Sequence, residues 1–199
     1  MKASVLLAAA AVANAATVTF EWECSATVLG LTGTGDPPII AGLVSDPVHG
    51  GAQALRLEDN SPTGTPQAFV AWIVGLSDGD EVTAGVWRYD TTPGTQPPSC
   101  RIWAHWNDSP DNIYGYNGSA GGNSSYGPGT GWDMVEHSWT VTDGHTGLIV
   151  VVRTYSEPGD TVYIDDLAVT APAGATVWTP GNYLSLQANT WGAIKGYTW

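Results

Sequence analysis

Positive charge is scarce in this chain. Lys and Arg number six against nineteen Asp and Glu in 199 residues, a formal charge of −13. A surface of that sign repels phosphate backbones and argues against a nucleic-acid partner. Phenylalanine and methionine number two each, and cysteine also two, with no metal-ligand spacing. Beyond the N-terminus no run is apolar enough to supply the roughly 20 residues that span a bilayer, so the chain reads as not membrane-spanning. Helical periodicity is missing too, because Gly or Pro interrupts nearly every window of the length a helix needs. What is abundant is tryptophan, ten residues, with eight Tyr, 25 Gly and 13 Pro. The 43% hydrophobic content argues against global disorder, and the length suits one domain with a real core.

The N-terminus carries an address. Lys2 opens it, residues 3–13 form an apolar run, and Ala13-Asn14-Ala15 places small residues where a signal peptidase reads. Residues 1–15 are expected to be a signal peptide and Ala16 the mature start, which makes the protein secreted or cell-surface. Losing Lys2 leaves the mature chain one charge more negative. In an exported protein two cysteines suggest one disulfide, Cys24 to Cys100, with two free thiols as the alternative. Asn117-Gly-Ser and Asn123-Ser-Ser are glycosylation sequons, relevant only in a eukaryotic source.

Short runs rich in Val, Ile, Thr and Trp recur between turn clusters and predict eight strands: residues 17–24, 53–58, 68–75, 81–89, 100–106, 136–141, 147–155 and 162–170. Asp36-Pro-Pro, Ser77-Asp-Gly-Asp, Thr92-Pro-Gly, Asp143-Gly and Pro158-Gly-Asp supply turns. The expected fold is all-β, a β-sandwich of jelly-roll type over residues 16–170. Residues 107–135 read as the longest loop, of a length that is usually functional or mobile.

Alternation assigns faces within the central strands. Val82, Ala84 and Val86 make one apolar face, leaving Trp87 and Tyr89 on the other. Cys100, Ile102, Ala104 and Trp106 suit the core, while Arg101, Trp103 and His105 face away. Leu148, Val150 and Val152 fit the core, with Arg153 and Tyr155 opposite. If these strands are neighbours, that face is a shallow aromatic groove. Trp22, Trp72, Trp106 and Trp139 are read as packing residues.

The order of motifs resembles the galactose-binding-like jelly roll of carbohydrate-binding modules grouped in families 4, 9 and 22. Thr19-Phe-Glu-Trp-Glu is similar to their acidic opening strand, and His49-Gly-Gly-Ala-Gln-Ala-Leu-Arg-Leu to their glycine-rich segment before an alternating strand. Val74-Gly-Leu-Ser-Asp-Gly-Asp-Glu-Val-Thr-Ala-Gly-Val-Trp resembles their Gly-Leu turn and the strand ending in Trp. Gly131-Trp-Asp and Ser138-Trp-Thr-Val occupy the place of a late Trp strand. Asp160-Thr-Val-Tyr-Ile-Asp-Asp-Leu-Ala-Val matches the closing Tyr-Ile-Asp-Asp-Val strand. The likeness spans residues 17–170.

The resemblance implies a structural Ca²⁺ between the first and last strands, carried to Glu21 or Glu23 and to Asp165 or Asp166. Such a hard cation takes six to eight oxygens, and backbone carbonyls before Gln53 would complete the shell. It also implies a polysaccharide ligand. A sugar ring stacks its C–H face on an aromatic ring while its hydroxyls need polar partners at the edge. Trp87, Tyr89, Trp103, His105, Arg153 and Tyr155 have that chemistry, and Tyr114, Tyr116 and Tyr126 are placed to wall the site. The acidic chain favours a neutral polysaccharide over a polyanion.

Enzyme signatures are missing: no Gly-x-Ser-x-Gly elbow, no His-Glu-x-x-His, no phosphate loop. His49, His105, His137 and His145 are scattered and read as polar-network residues. The chain is therefore read as non-catalytic, with two alternatives. One is a jelly-roll glycosidase needing facing carboxylates, for which only Glu81 and Glu136 lie on central strands, or a lyase built on Tyr89, His105 and Arg153. The other is a structural surface protein without glycan activity. Residues 171–199 read as a linker and a Trp-rich tail, a possible site for a protein partner.

Overall fold

The computed structural model describes residues 14–91, 99–155 and 157–183. Twelve strands run through them: β1 (Ala15–Phe20), β2 (Gly30–Thr32), β3 (Ile39–Val44), β4 (Ala54–Asp59), β5 (Gln67–Val74), β6 (Glu81–Asp90), β7 (Ser99–Trp106), β8 (Ser119–Gly122), β9 (Gly131–Thr140), β10 (Gly147–Tyr155), β11 (Thr161–Pro172) and β12 (Thr176–Trp178). They pair antiparallel in two sheets. The first has the order β3-β4-β11-β6-β9 with β1 beside β11, and the second β12-β5-β10-β7-β8 with β2 beside β5. The expected β-sandwich is the fold observed.

The core lies between the sheets and follows the expected parity. Val82, Ala84 and Val86 of β6 meet Ile102 and Ala104 of β7 and Leu148, Val150 and Val152 of β10, all buried. Trp22 and Trp139 complete it, with Trp106 packed against it from a partly buried position. Arg88 also points inward and is 2% exposed. Its Nη1 donates to the carbonyls of Cys100 (2.6 Å) and Ser125 (2.8 Å), and its Nη2 to Asp133 Oδ2 (2.9 Å). One buried guanidinium thus ties β6 of the first sheet to β7 of the second, its charge balanced as burial demands.

β11 organises the first sheet. β4 pairs with its residues 161–164 and β1 with residues 167–172, while β6 flanks it on the other side. The handover falls at a bulge between Asp165 and Ala168, where Asp166 adopts φ 47°. A bulge at that point re-aims two consecutive carboxylates out of the ladder.

The structure corrects several sequence readings. Cys24 and Cys100 are both free; no disulfide joins them. Cys24 sits exposed beyond β1, which pairs with β11, whereas Cys100 is buried at the start of β7 in the other sheet. An exposed thiol beyond the end of one sheet and a buried thiol inside the other do not face each other across the core, as a bridge requires. Burial, opposed by Arg88, pushes the Cys100 thiol up to about 12, so it behaves as a small apolar group. Residues 107–135 contain β8 and the start of β9 rather than one long loop. β11 runs on to Pro172 and β12 pairs with β5, so residues assigned to a linker belong to the sandwich. Most of the expected signal peptide, and residues 184–199 of the expected tail, lie outside the described residues.

Candidate functional site

The outer face of the second sheet is apolar where most sandwiches are wet. β5 and β10 carry nearly unbroken apolar runs, Phe69 to Val74 and Leu148 to Val152, the pattern of strands covered on both faces. Phe69, Trp72, Ile149 and Val151 form a second buried cluster there with Ile113, joined by partly buried Trp103, Trp178 and Tyr183. The register sets the rows: Arg153 lies between Gln67 and Arg101, Val151 between Phe69 and Trp103, and Ile149 between Trp72 and His105.

Residues 107–118 fold over one end of this face. Gly147 makes the entry possible, because a Cβ there would sit 2.3 Å from the Asn107 carbonyl oxygen. The Asn107 N–H then donates to Gly147 O (3.0 Å), and its side-chain amide to the carbonyls of Asn112 (2.9 Å) and Ile113 (3.1 Å). Asp108 latches the far side, accepting from the Thr146 N–H (2.7 Å) and Asn117 and lying 3.0 Å from His145 Nδ1. Burial alone raises the Asp108 carboxyl, but these bonds outweigh it and hold it below the usual range. Between loop and sheet lies a cleft of about 410 Å³, within the range of roughly 300–1,000 Å³ that small-ligand sites occupy.

Phe69, Ile113 and Ile149 line its floor; Gln67, His105, Asn107, Ser119 and Arg153 bring polar groups; Tyr114 and Tyr116 stand at its rim. The two tyrosines are 56% and 67% exposed, rings free to take a partner. Tyr116 lies edge-on to His105 at 5.1 Å. His105 Nε2 is 2.5 Å from Gln67 Oε1, and burial, aided by the Arg153 charge, lowers its pKa to about 4. The imidazole is therefore neutral at pH 7, donates from Nε2, and keeps an acceptor at buried Nδ1 that has no partner among the described residues. Arg153 lays its guanidinium 4.3 Å over the Trp103 ring, while Trp103 Nε1 donates to Ser119 Oγ (2.8 Å). Arg101 covers Tyr126 in the same way at 3.8 Å.

The single groove expected from strand parity divides in two. His105 and Arg153 line the cleft, with Trp103 beneath Arg153, but Trp87 and Tyr89 stand on the outer face of the first sheet. Parity placed each outward correctly; β6 is simply not a neighbour of β7 or β10. On that other face His49 stacks on Trp87 at 3.9 Å, and Trp132 packs edge-on against His49 and Tyr89, both at 5.4 Å. The side chain of Tyr155 lies outside the described residues. Gln67, Phe69, Ile113 and Asn107 were missed by the sequence reading. The continuous apolar run of β5 was the signal for Phe69.

Of the four expected calcium carboxylates, Glu21 is exposed and the other three converge on residues 49–53. Glu23 Oε1 accepts the N–H groups of Ala52 (2.5 Å) and Gln53 (3.1 Å). Asp165, fully buried, accepts those of His49 (3.0 Å) and Gly50 (3.1 Å) at Oδ2 and of Asp166 (2.9 Å) at Oδ1. Asp166 Oδ2 lies 2.6 Å from His49 Nδ1. Gly50 and Gly51 are required here, since a Cβ would meet the Asp166 and Glu23 carboxylates at 2.8 and 2.0 Å. The oxygens suit a hard cation in kind, and among the described residues Glu23 Oε2 and Asp166 Oδ1 carry no hydrogen bond. Among the described residues no cluster of three ionisable ligands forms.

Glu81 and Glu136 are exposed on the first sheet, four residues apart along the β6–β9 register, and among the described residues no carboxylate lines the cleft. Tyr89 is likewise remote from His105 and Arg153.

No family model matches the sequence, and no curated protein matches it. Solved structures do. The CBM22-1 xylan-binding domain of Paenibacillus barcinonensis Xyn10C is similar over 78% of this chain and 93% of its own, at 13% identity and a TM-score of 0.51. A family 30 carbohydrate-binding module is similar over 77% and 99%, again at 13% identity and 0.51. The CBM22-1-GH10 modules of Clostridium thermocellum xylanase 10B, solved with xylohexaose, match over 76% of this chain and 28% of theirs, at 13% identity and 0.54. The β-sandwich is thus built as jelly-roll carbohydrate-binding modules are built, and at this identity the likeness is one of fold.

Proposed function

We propose that this chain is an exported, non-catalytic polysaccharide-binding module whose ligand lies in the cleft between β5, β10, β7 and residues 107–118. The observation that carries the reading is the cleft itself: an apolar floor, exposed tyrosine rings at the rim and polar side chains from Gln67, His105, Asn107 and Arg153, with His105 Nδ1 and Arg153 Nε unpartnered among the described residues. This is the pairing of flat apolar surface with hydrogen-bonding edge that a sugar chain requires. A xylan-binding domain and a module solved with xylohexaose stand among the structural neighbours, which makes xylan the first glycan to try.

Retardation in gels containing xylan and other β-glycans tests it, with Tyr116→Ala as the variant because that ring is 67% exposed and carries little of the fold. Retardation lost in Tyr116→Ala supports the cleft. Unchanged retardation would place binding elsewhere, and none on any glycan would favour a structural role. New reducing ends or unsaturated products would overturn the non-catalytic reading.

The calcium expected from the resemblance is retained as part of the proposal. Glu23 and Asp166 would hold the ion, which would neutralise carboxylates gathered at the β1–β11 junction. A melting temperature raised by Ca²⁺ and lowered by chelator supports it; a melt indifferent to both removes it.

A further inference from the structure

The cleft has a charge of its own, opposite to that of the chain around it. The described residues contain four arginines. Arg56 pairs with Glu58 at 2.5 Å and Arg88 with Asp133 at 2.9 Å. Arg153 makes no ion pair or hydrogen bond among the described residues, and its Nε is buried without a partner. Its guanidinium is instead fixed by stacking over Trp103, whose indole is fixed in turn by Ser119. The planar face is used in that stack, which leaves the N–H edge as the group on offer.

Among the described residues no Asp or Glu lines the cleft, although such residues outnumber Lys and Arg by nineteen to six in the chain. His105 adds no positive charge near neutrality and presents a second unpartnered buried atom, Nδ1, in the same cleft. A pre-positioned guanidinium edge beside an apolar floor is the arrangement that takes a carboxylate on a ring-shaped ligand.

We propose that the cleft recognises a carboxylated sugar, a uronic acid unit set in an otherwise neutral polysaccharide, with Arg153 as the carboxylate partner. This rests on the polysaccharide-binding reading and narrows its ligand. The remaining charge of the chain restricts the ligand further. At physiological salt, fields between exposed charges fade over about 8 Å, so an isolated carboxylate in the cleft feels Arg153 and its cross-strand neighbour Arg101 rather than the acidic remainder of the chain. A polyanion running across the surface meets the acidic remainder of the molecule and is repelled. One acidic unit on a neutral backbone satisfies both conditions.

The test is calorimetric titration of the intact protein with three probes: a xylo-oligosaccharide bearing one glucuronic acid branch, the same compound with its carboxyl reduced to the alcohol, and the linear xylo-oligosaccharide. The acidic probe is expected to bind about tenfold tighter than its reduced form, the scale of one charge-assisted hydrogen bond. That advantage should shrink with added salt. In Arg153→Gln the ratio of acidic to reduced affinity should fall toward one, and in Arg153→Lys part of it should return.

Equal affinity for the acidic and reduced probes in the unaltered protein overturns this proposal while leaving the polysaccharide reading intact. Binding of none of the three, with retardation on another neutral glycan, also overturns it. Failure on every glycan tested removes the parent reading instead. The comparison of probes needs no variant, so it stands even if replacing Arg153 disturbs the Trp103 stack.

Discussion

Trp87 and Trp103 occupy opposite outer faces of one sandwich, the first stacked under His49 on β6 and the second under Arg153 on β7. Both are half-buried, both have a planar cationic or ionisable group over the ring, and they cannot contact the same ligand molecule side by side.

Their replacement should therefore have unlike effects. Trp103→Ala removes the platform under Arg153 and is expected to weaken glycan retardation about tenfold or more, the scale of a lost stacking residue. Trp87→Ala is expected to leave retardation unchanged while lowering the melting temperature through the lost His49 stack. The reverse pattern would move the glycan site to the first sheet.

Asp165 is the anchor of residues 49–50 on β11. Replacing it with Ala strands three N–H groups, those of His49, Gly50 and Asp166. The expected loss is roughly 2–5 kcal/mol in urea unfolding, since orphaned buried donors are costly. Asp165→Asn keeps one acceptor oxygen and should fall between Ala and the unaltered chain. A loss below about 0.5 kcal/mol for Asp165→Ala, the scale of an ordinary surface change, would contradict the assigned role.

Acid should weaken the fold through His105. Its folded pKa of about 4 lies below the ordinary 6.5, so between those values the unfolded chain binds the proton and the folded chain does not. Stability rises with pH across that window and falls as the solution is acidified, with the loss complete below about pH 4. Urea midpoints from pH 7 to 4 should slope less steeply in His105→Gln than in the unaltered chain. Parallel slopes would show that His105 does not titrate as stated. The difference between the two proteins removes the carboxylates they share.

The cysteines give a direct chemical check. A thiol reagent should label Cys24 rapidly in the native protein and Cys100 only after denaturation, because Cys100 is buried and its pKa is near 12. Labelling of neither residue until a reductant is added would restore the disulfide.

Local patterns were legible in the sequence and long-range partners were not. Alternation placed Trp87, Trp103, His105 and Arg153 outward and Val82, Ala104 and Val150 inward, and the structure agrees, because side-chain parity is a property of one strand. Whether β6 neighbours β7 depends on pairings between distant segments, which parity does not encode. The Tyr163-Ile-Asp-Asp-Leu run marked β11 through its chemistry, yet its bulge and its handover from β4 to β1 arise only in the sheet. Tyr114 and Tyr116 were recognised as walls of the site by composition. Ile113, which seats their loop on Phe69 and Ile149, was hidden as a lone apolar residue among polar ones. Cys100 faced inward as expected; its presumed partner, Cys24, lies exposed in the chain beyond β1 rather than on a strand facing it.

Trp178 and Tyr183 cover the Trp72 end of β5, and the cleft occupies the Gln67 and Phe69 end of the same strand. A sugar chain laid along that strand is stopped by the protein's own aromatic rings. On the proposed reading, the point where β12 joins the sheet would set how many rings could be seated, and the chain after β11 would act as the gauge of ligand length.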